Sequence, residues 1–274
     1  MNDYCRNKAA PEGSNLYYAC LYQTPAIRQR LFALFALYYE LQEGLLSASD
    51  PGVSRIKLEW WREELARLGR GEARHPVTRA LQPLLEQGEI TPGPLNSLPP
   101  AMESLLSMPA TETDGWHQVG GIGDFWQCAA AASGPVTDTE RDLAAATGSA
   151  VARLELLQNL RRLLALGFNP LPRQTLAESG LSGEELMGDP VSEQSRALAS
   201  ALVTTVHNDL EACYRSGKRP GRHMLFVLIM NRIAAATCEE IARDGHRILS
   251  RKLALTPIRK LWIAWRTKYA RLLP

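Results

Sequence analysis

The sequence predicts an all-α protein that folds as one compact bundle of long helices. Apolar residues recur with a period of about 3.6 positions along nearly the whole chain and almost never alternate with polar ones, which indicates helices rather than strands. Helix start signals are also frequent, since a capping side chain stands directly before proline at Thr24, Asp50 and Thr256. The chain has no internal repeat of fixed period and no Gly- or Ser-rich linker. We therefore predict a single helical domain over residues 1–274.

Start and stop signals place about eight major helices along the chain. We expect them over 25–47, 51–70, 76–87, 111–133, 138–167, 190–215, 220–246 and 257–272, with a short helix ending near Met108. Thr137-x-x-Glu140 is a capping box that begins the 138–167 helix, and Ser182-x-x-Glu185 begins a shorter one. Three glycines at 120, 121 and 123 interrupt the 111–133 pattern. They predict either close packing against a neighbouring helix, which we favour, or a break in the helix.

Composition and charge exclude several classes of protein. Of the 274 residues 45% are hydrophobic, and 31 basic against 29 acidic residues leave a formal charge of +2, which argues against a nucleic-acid-binding protein. The five cysteines are scattered and form no C-x-x-C pair, as expected for reduced thiols in a cytoplasm. No run of 18 apolar residues occurs, and charged residues fill the N-terminus where a signal peptide would be apolar. We expect a cytoplasmic protein whose contact with a membrane, if any, is peripheral and on its inner face.

Local motifs by themselves predict no catalytic site. The glycine cluster at 120–123 follows no predicted strand, so it has no context as a phosphate-binding loop. The five histidines are isolated, and no nucleophile-plus-base signature is present. The two tryptophans of the segment 57–65 are expected to pack in the core. Its acidic residues are expected to form helical ion pairs rather than a metal site, namely Glu59, Glu63 and Glu64 with Arg62 or Arg67.

The first half of the chain carries a specific series of aromatic-rich segments. LFALFALYYEL occupies 31–41 and KLEWWREEL occupies 57–65, followed by Gly71-Glu72 and His75-Pro76-Val77. In this order the segments resemble the squalene and phytoene synthase family. Gly148-Ser149-Ala150, Leu171-Pro172 and Arg251-Lys252-Leu253 extend the resemblance more loosely over most of the chain. The resemblance implies an all-α isoprenoid-synthase fold with a deep central cavity.

The chain departs from that family at the positions that carry its chemistry. Active members have two D-x-x-x-D motifs on facing helices, whose carboxylates hold the magnesium ions that neutralise a prenyl diphosphate. The resemblance places the first pair of aspartates on Gln42 and Leu46, and the preceding basic residue on Tyr39. It places the second pair on Asn159 and Leu163, or on Arg162 and Leu166 if the frame is moved by three residues. Neither frame supplies a carboxylate.

This loss resembles a branch of the family that has shed both motifs, of which a mitochondrial assembly factor for respiratory complex I is one kind. The resemblance implies a non-catalytic protein that binds an isoprenoid or other lipid, or that assists the assembly of a membrane enzyme, with no cofactor. The alternative is a prenyl-diphosphate transferase with a non-standard diphosphate site, and only that alternative would need magnesium. With leucines at two of the motif positions, we expect a pocket that suits an uncharged lipid tail. Candidate cavity residues are Tyr17, Arg28, Phe35, Tyr38, Tyr39, Glu43, Arg161 and Arg162.

The C-terminal segment 245–274 contains basic residues but no Asp or Glu. Its last helix carries one apolar-aromatic face, formed by Ile258, Leu261, Trp262, Trp265, Tyr269 and Leu272. One interpretation is a terminal helix docked on the bundle with a solvated basic side, and the other is a surface for anionic lipid or a membrane-protein partner. Both hold if the aromatic face is buried and the basic side faces outward. The candidate membrane-surface residues are Arg259, Lys260, Arg266 and Lys268.

Overall fold

The computed structural model describes residues 3–46, 51–107, 120–171, 173–215 and 220–270. Within these ranges the regular elements are all helical and no strand occurs, which confirms the all-α prediction. The α-helices are α1 (Asp3–Ala9), α2 (Asn15–Cys20), α3 (Pro25–Leu46), α4 (Pro51–Gly69), α5 (Pro76–Glu86), α6 (Pro92–Asn96), α7 (Leu98–Ser107), α8 (Gly120–Ser133), α9 (Asp138–Gln158), α10 (Leu160–Ala165), α11 (Arg173–Ser179), α12 (Gly183–Leu186), α13 (Glu193–Arg215), α14 (Leu225–Arg243) and α15 (Pro257–Tyr269).

Three long helices organise the core. In α3 the residues 31–38 are all buried, and this helix packs against α1, α4, α5 and α8. On the other side of the core α9 packs against α8, α13 and α14. The first two turns of α14 are equally buried, because residues 225–231 have almost no exposed surface. The long helices predicted from periodicity therefore surround one hydrophobic core.

Several helix boundaries differ from the sequence prediction. The helix expected over 138–167 is interrupted at Asn159, whose side-chain amide donates to the Glu155 carbonyl oxygen at 2.7 Å and so competes with the backbone pattern. The helix expected from 190 begins at Glu193, because the Ser192 hydroxyl accepts the Ser195 N–H at 3.0 Å and caps it. The helices α1 and α2 were not predicted. The N-terminal part of the helix expected over 111–133 lies outside the described residues.

The glycines around α8 and α9 permit close helix packing. A Cβ atom on Gly121 would lie 2.7 Å from the Ser97 carbonyl oxygen, and one on Gly123 would lie 3.3 Å from the Ala145 Cβ. On α9, a Cβ atom at Gly148 would overlap the Trp126 ring, at 2.2 Å from Cγ. The close-packing interpretation of the glycine cluster is confirmed for Gly121 and Gly123.

The orientation of α15 corrects the expectation that its aromatic face is buried. The buried side of this helix consists of Lys260, Ile263, Ala264 and Thr267, and it packs on α2 and α14. The described aromatic and aliphatic residues of the opposite face are between 40% and 81% exposed, namely Ile258, Leu261, Trp262, Trp265 and Tyr269. Ala264 and Thr267 are small and allow a close approach to the bundle, which indole rings in their place would prevent. Leu272 lies outside the described residues. None of the helices in the described ranges has the length and hydrophobicity that crossing a bilayer requires.

Candidate functional site

A pocket of about 650 Å³ lies between α3, α9 and α14. Residues 252–255, which lead into α15, form one edge, and the connection between α1 and α2 forms another. The side chains of Gln42 and Leu46 reach it from α3, and those of Glu155 and Gln158 reach it from α9. Its volume lies within the range of about 300–1,000 Å³ that is typical of small-molecule sites.

The positions that the family resemblance assigned to magnesium ligands meet in this region. Gln42, Leu46 and Asn159 line the pocket, and all three also border a small adjoining cavity together with Leu163. Arg162, the alternative position for an aspartate, lines the main pocket. The end of α3 and the junction between α9 and α10 therefore face each other, as two motif-bearing helices would.

The pocket contains a carboxylate that sequence reasoning missed. Glu155, one turn before Asn159, accepts hydrogen bonds from the Gln42 amide at 2.8 Å and from the Tyr38 hydroxyl at 3.1 Å. Burial raises the pKa of this carboxyl group, although these two hydrogen bonds and the positive charge of Lys252 oppose the rise. A glutamate within the apolar run of α9 was the signal that could have identified it. The three side chains join α3 to α9 across the core.

Positive side chains outnumber negative ones around the pocket. The described lining residues include Lys8, Arg162, Lys252 and Lys260 against Glu43 and Glu155. The Lys252 ammonium donates to the Asn159 side-chain oxygen at 3.3 Å. Arg162 is exposed, and its guanidinium makes no hydrogen bond or ion pair with the described residues. The wall is therefore more cationic than the apolar pocket that the leucines at 46 and 163 led us to expect.

Lys8 and Lys260 have other partners near this wall. The ammonium of Lys8 forms ion pairs with Glu40, at 3.0 Å, and with Glu43. Lys260 is buried and donates to the Gly13 carbonyl oxygen at 2.8 Å, and burial lowers the pKa of its amine. Lys260 therefore reaches inward to the pocket and the N-terminal segment. The sequence analysis had instead predicted that it lies on an outer, membrane-binding surface.

The donor atoms of the pocket do not fit a cluster of magnesium ions. Magnesium prefers several carboxylate or water oxygens, and it binds poorly among positive charges. Of the two lining carboxylates, Glu155 is occupied by Gln42 and Tyr38, and Glu43 by Lys8. Over the described part of the chain, no three His, Cys, Asp or Glu side chains are placed to share a metal ion.

The other cavity candidates are divided between the pocket and the core. Tyr39 and Glu43 line the pocket, and Tyr38 contacts it through Glu155. Phe35 is fully buried among other aromatic rings, with centroids 5.2 Å from Trp126 and 5.3 Å from Phe125. It fills the core rather than a ligand site.

Three candidates do not line the pocket. The Arg161 guanidinium donates to the Leu249 carbonyl oxygen at 3.2 Å. Tyr17 packs edge-to-face on Tyr18, with ring centroids 5.1 Å apart. Arg28 lies near the buried Cys20, on the first turn of α3 and away from Gln42. The helical period separates these basic groups, since neighbouring residues such as Arg161 and Arg162 project in different directions.

The α4 glutamates form the ion pairs predicted for them. Arg62 pairs with Glu59 at 2.7 Å, and Arg67 pairs with Glu63 and Glu64, each at 3.2 Å. Of the two tryptophans, Trp61 is buried as expected, whereas Trp60 is 42% exposed.

An all-α bundle with a pocket between facing helices is the architecture of isoprenoid synthases. The family model described as squalene/phytoene synthase matches residues 9–259, and the chain belongs to this family. A search of curated proteins found no match.

Solved structures of the same fold cover nearly the whole chain. The squalene synthase HpnC from Alicyclobacillus acidocaldarius is 19% identical, with a TM-score of 0.71, over 89% of this chain and 94% of its own. A dehydrosqualene synthase solved with a ligand is 14% identical, with a TM-score of 0.82, over 98% and 95%. YisP from Bacillus subtilis subsp. subtilis strain 168 is 14% identical, with a TM-score of 0.66, over 96% and 94%. At these identities the similarity establishes the fold.

Proposed function

We propose that this chain binds one isoprenoid or similar lipid with an anionic head group in the α3–α9–α14 pocket, and that it does not carry out magnesium-dependent condensation of prenyl diphosphates. One observation carries the proposal. At the facing positions where the family resemblance places magnesium ligands, Gln42 is bound to Glu155 and Asn159 is bound to Lys252. These two side chains are neutral amides, and one of them lies next to an ammonium group. They therefore favour direct binding of an anionic head group over binding through a bridging magnesium ion.

The remaining lining residues suit the two ends of such a ligand. Arg162 and Lys252 can neutralise a phosphate through charge-assisted hydrogen bonds, and a guanidinium can bind two phosphate oxygens at once. The tail would lie against the apolar part of the wall, which consists of Leu46, Val151, Leu154, Met230, Ala234, Leu253 and Leu255. We therefore expect a lipid with an anionic head group rather than an uncharged lipid.

Calorimetric titration with farnesol, farnesyl monophosphate and farnesyl diphosphate tests the head-group preference. We expect both phosphates to bind more tightly than the alcohol, and to bind equally well with magnesium and with a chelator. Mass spectrometry of lipid extracted from the purified protein identifies any natural occupant. If the alcohol bound as tightly as the phosphates, the cationic wall would have no role in recognition.

A pair of neighbouring arginines provides a matched test. Replacing Arg162 with Gln should weaken binding of farnesyl monophosphate by roughly 10- to 100-fold, since a hydrogen bond to a charged group contributes about 1.5–3 kcal/mol. Arg161→Gln makes the same change one residue away, on a side chain that points to Leu249, and should leave the affinity unchanged. Equal effects of the two variants would contradict the proposed head-group site.

The alternative function is a prenyl-diphosphate transferase that binds its diphosphate through Arg162. Membership of the squalene/phytoene synthase family supports it. Incubation with farnesyl diphosphate and magnesium, followed by mass spectrometry, distinguishes the two. A head-to-head condensation product that disappears in Arg162→Gln would establish the enzyme and overturn the binding proposal. If neither ligand nor product is found, the pocket proposal fails and a role in assembling a membrane enzyme remains.

A further inference from the structure

The outer face of α15 combines exposed aromatic side chains with a positive border. Trp262 and Trp265 are 52% and 50% exposed, and Tyr269 is 40% exposed. Ile258 and Leu261 extend the same face along the helix, and Ile258 is 81% exposed. Since these residues lie opposite the buried Lys260, the helix presents its most apolar side to solvent. We call this surface the α15 aromatic face.

Two basic groups that flank the α15 aromatic face have no carboxylate partner among the described residues. The Arg266 guanidinium lies over the Trp262 ring, 5.1 Å from its centroid, and the Lys268 ammonium lies 4.3 Å from the Tyr22 centroid. Neither forms an ion pair within the described residues. Glu239 and Glu240 on α14 contact the helix through Arg259 and are also paired with Arg243.

This combination is characteristic of helices that lie in a membrane interface. Tryptophan and tyrosine rings are stable at the level of the lipid head groups, and flanking lysines and arginines extend toward anionic phosphates. A second copy of this chain would bring two positively bordered faces together, which is unfavourable. An anionic bilayer is complementary to both the rings and the charges.

We propose that α15 docks the protein on an anionic lipid bilayer through its aromatic face, with Trp262, Trp265 and Tyr269 at the head-group level and Arg266 and Lys268 against the phosphates. Lys260, on the opposite side of the same helix, lines the pocket, and residues 252–255 lead from the pocket edge into α15. Docking thus places a wall of the pocket next to the bilayer. The docking itself does not depend on what the pocket binds.

Vesicle sedimentation tests this directly with the full chain. We expect the protein to sediment with vesicles of equal parts phosphatidylcholine and phosphatidylglycerol, and to stay in solution with phosphatidylcholine alone. Binding should weaken as salt is added, because the Debye length falls from about 10 Å at 0.1 M to about 3 Å at 1 M. If the protein does not sediment with the anionic vesicles at low salt, the proposal is wrong, whatever the pocket binds.

Variants on exposed positions separate docking from folding. The double variant Trp262→Ser and Trp265→Ser should abolish sedimentation with an unchanged melting temperature. Trp60→Ser is the matched control, because Trp60 is 42% exposed on α4 beside acidic residues, and it should sediment like wild type. Equal loss in the control, or undiminished binding in the double variant, would contradict docking through α15.

The charges are tested with Arg266→Gln and Lys268→Gln. Each should lower the vesicle partition coefficient about fivefold, since one basic residue near an anionic surface contributes on the order of 1 kcal/mol. Light scattering in the absence of lipid measures the oligomeric state and tests whether the α15 aromatic face instead forms a protein contact. A dimer that the double tryptophan variant converts to monomer, with no vesicle binding by wild type, would assign the face to a protein contact and overturn the proposal.

Discussion

Among single residues, Glu64 has the most distinctive environment. Its buried carboxylate accepts hydrogen bonds from the backbone N–H groups of Arg74 at 2.7 Å and His75 at 2.8 Å, and from the Thr78 hydroxyl at 2.6 Å. Burial alone would raise its pKa, but these bonds and Arg67 outweigh it and lower the pKa from its usual 4.5 to about 2. One carboxylate thus holds the connection between α4 and α5 in place.

The low pKa of Glu64 has a consequence for stability. Because the folded pKa lies below the unfolded one, the stabilisation is fully present above pH 4.5 and is lost as pH falls toward about 2. We expect Glu64→Gln to lower the free energy of unfolding by about 2–3 kcal/mol at neutral pH, with a smaller difference from wild type in acid. Urea denaturation over a pH series measures this. The exposed Glu63→Gln is the control, and a pH-independent difference for Glu64→Gln would contradict the explanation.

Gly148 is a second residue whose environment predicts a specific effect. Its absent side chain makes room for Trp126, so Gly148→Ala forces the indole ring to move and should cost about 1–3 kcal/mol. Gly44→Ala on α3 is the matched substitution, because its new methyl would meet only the flexible Lys57 side chain, at 3.7 Å. We expect it to be neutral or to stabilise by about 0.5–1 kcal/mol through helix propensity. Denaturant unfolding measures the free energy of unfolding of the two variants. Equal destabilisation would show that the contact with Trp126 does not determine the cost of a side chain at position 148.

At the scale of elements, the capping box of α9 holds one end of the helix that carries Glu155. The Thr137 hydroxyl accepts from the Glu140 N–H at 3.3 Å, and the Glu140 carboxylate accepts from the Thr137 N–H at 2.9 Å and from the Gly221 N–H at 2.5 Å. The box therefore links α9 to the segment before α14.

Removal of this cap should destabilise the whole fold. We expect Thr137→Ala to cost about 1 kcal/mol, the usual effect of losing a cap. Ser182→Ala removes an equivalent box from α12, which has only four residues, and we expect it to cost less because little packing depends on that helix. Chemical denaturation of both variants provides the comparison. A larger effect for Ser182→Ala would contradict this order.

For the whole molecule, the prediction concerns ligand-linked stability. A ligand present at about 100 times its dissociation constant adds roughly 2.7 kcal/mol to the free energy of unfolding. We expect farnesyl diphosphate to raise the melting temperature to the same extent with millimolar magnesium and with a chelator, because the pocket offers cationic groups rather than carboxylates. A large increase that requires magnesium would show that the chain binds the metal after all.

The helical architecture could be predicted from the sequence, because hydrophobic periodicity and helix caps are local properties. The prolines at 25, 51 and 257 begin α3, α4 and α15 as predicted. The order of aromatic segments also identified the family. The short helices α1 and α2 were missed, since six or seven residues carry too little periodicity to be recognised.

Which face of each helix is buried, and which side chains meet, depends on how the helices pack together. Periodicity showed that α15 has an apolar face, but the packing of α2 and α14 on Ala264 and Thr267 left that face in solvent and turned Lys260 inward. Likewise Glu155 became a pocket residue only because α9 lies against α3, where Gln42 and Tyr38 can reach it. The two Glu155 contacts join residues more than 100 positions apart. The energy of a contact between distant segments is not encoded in either segment alone.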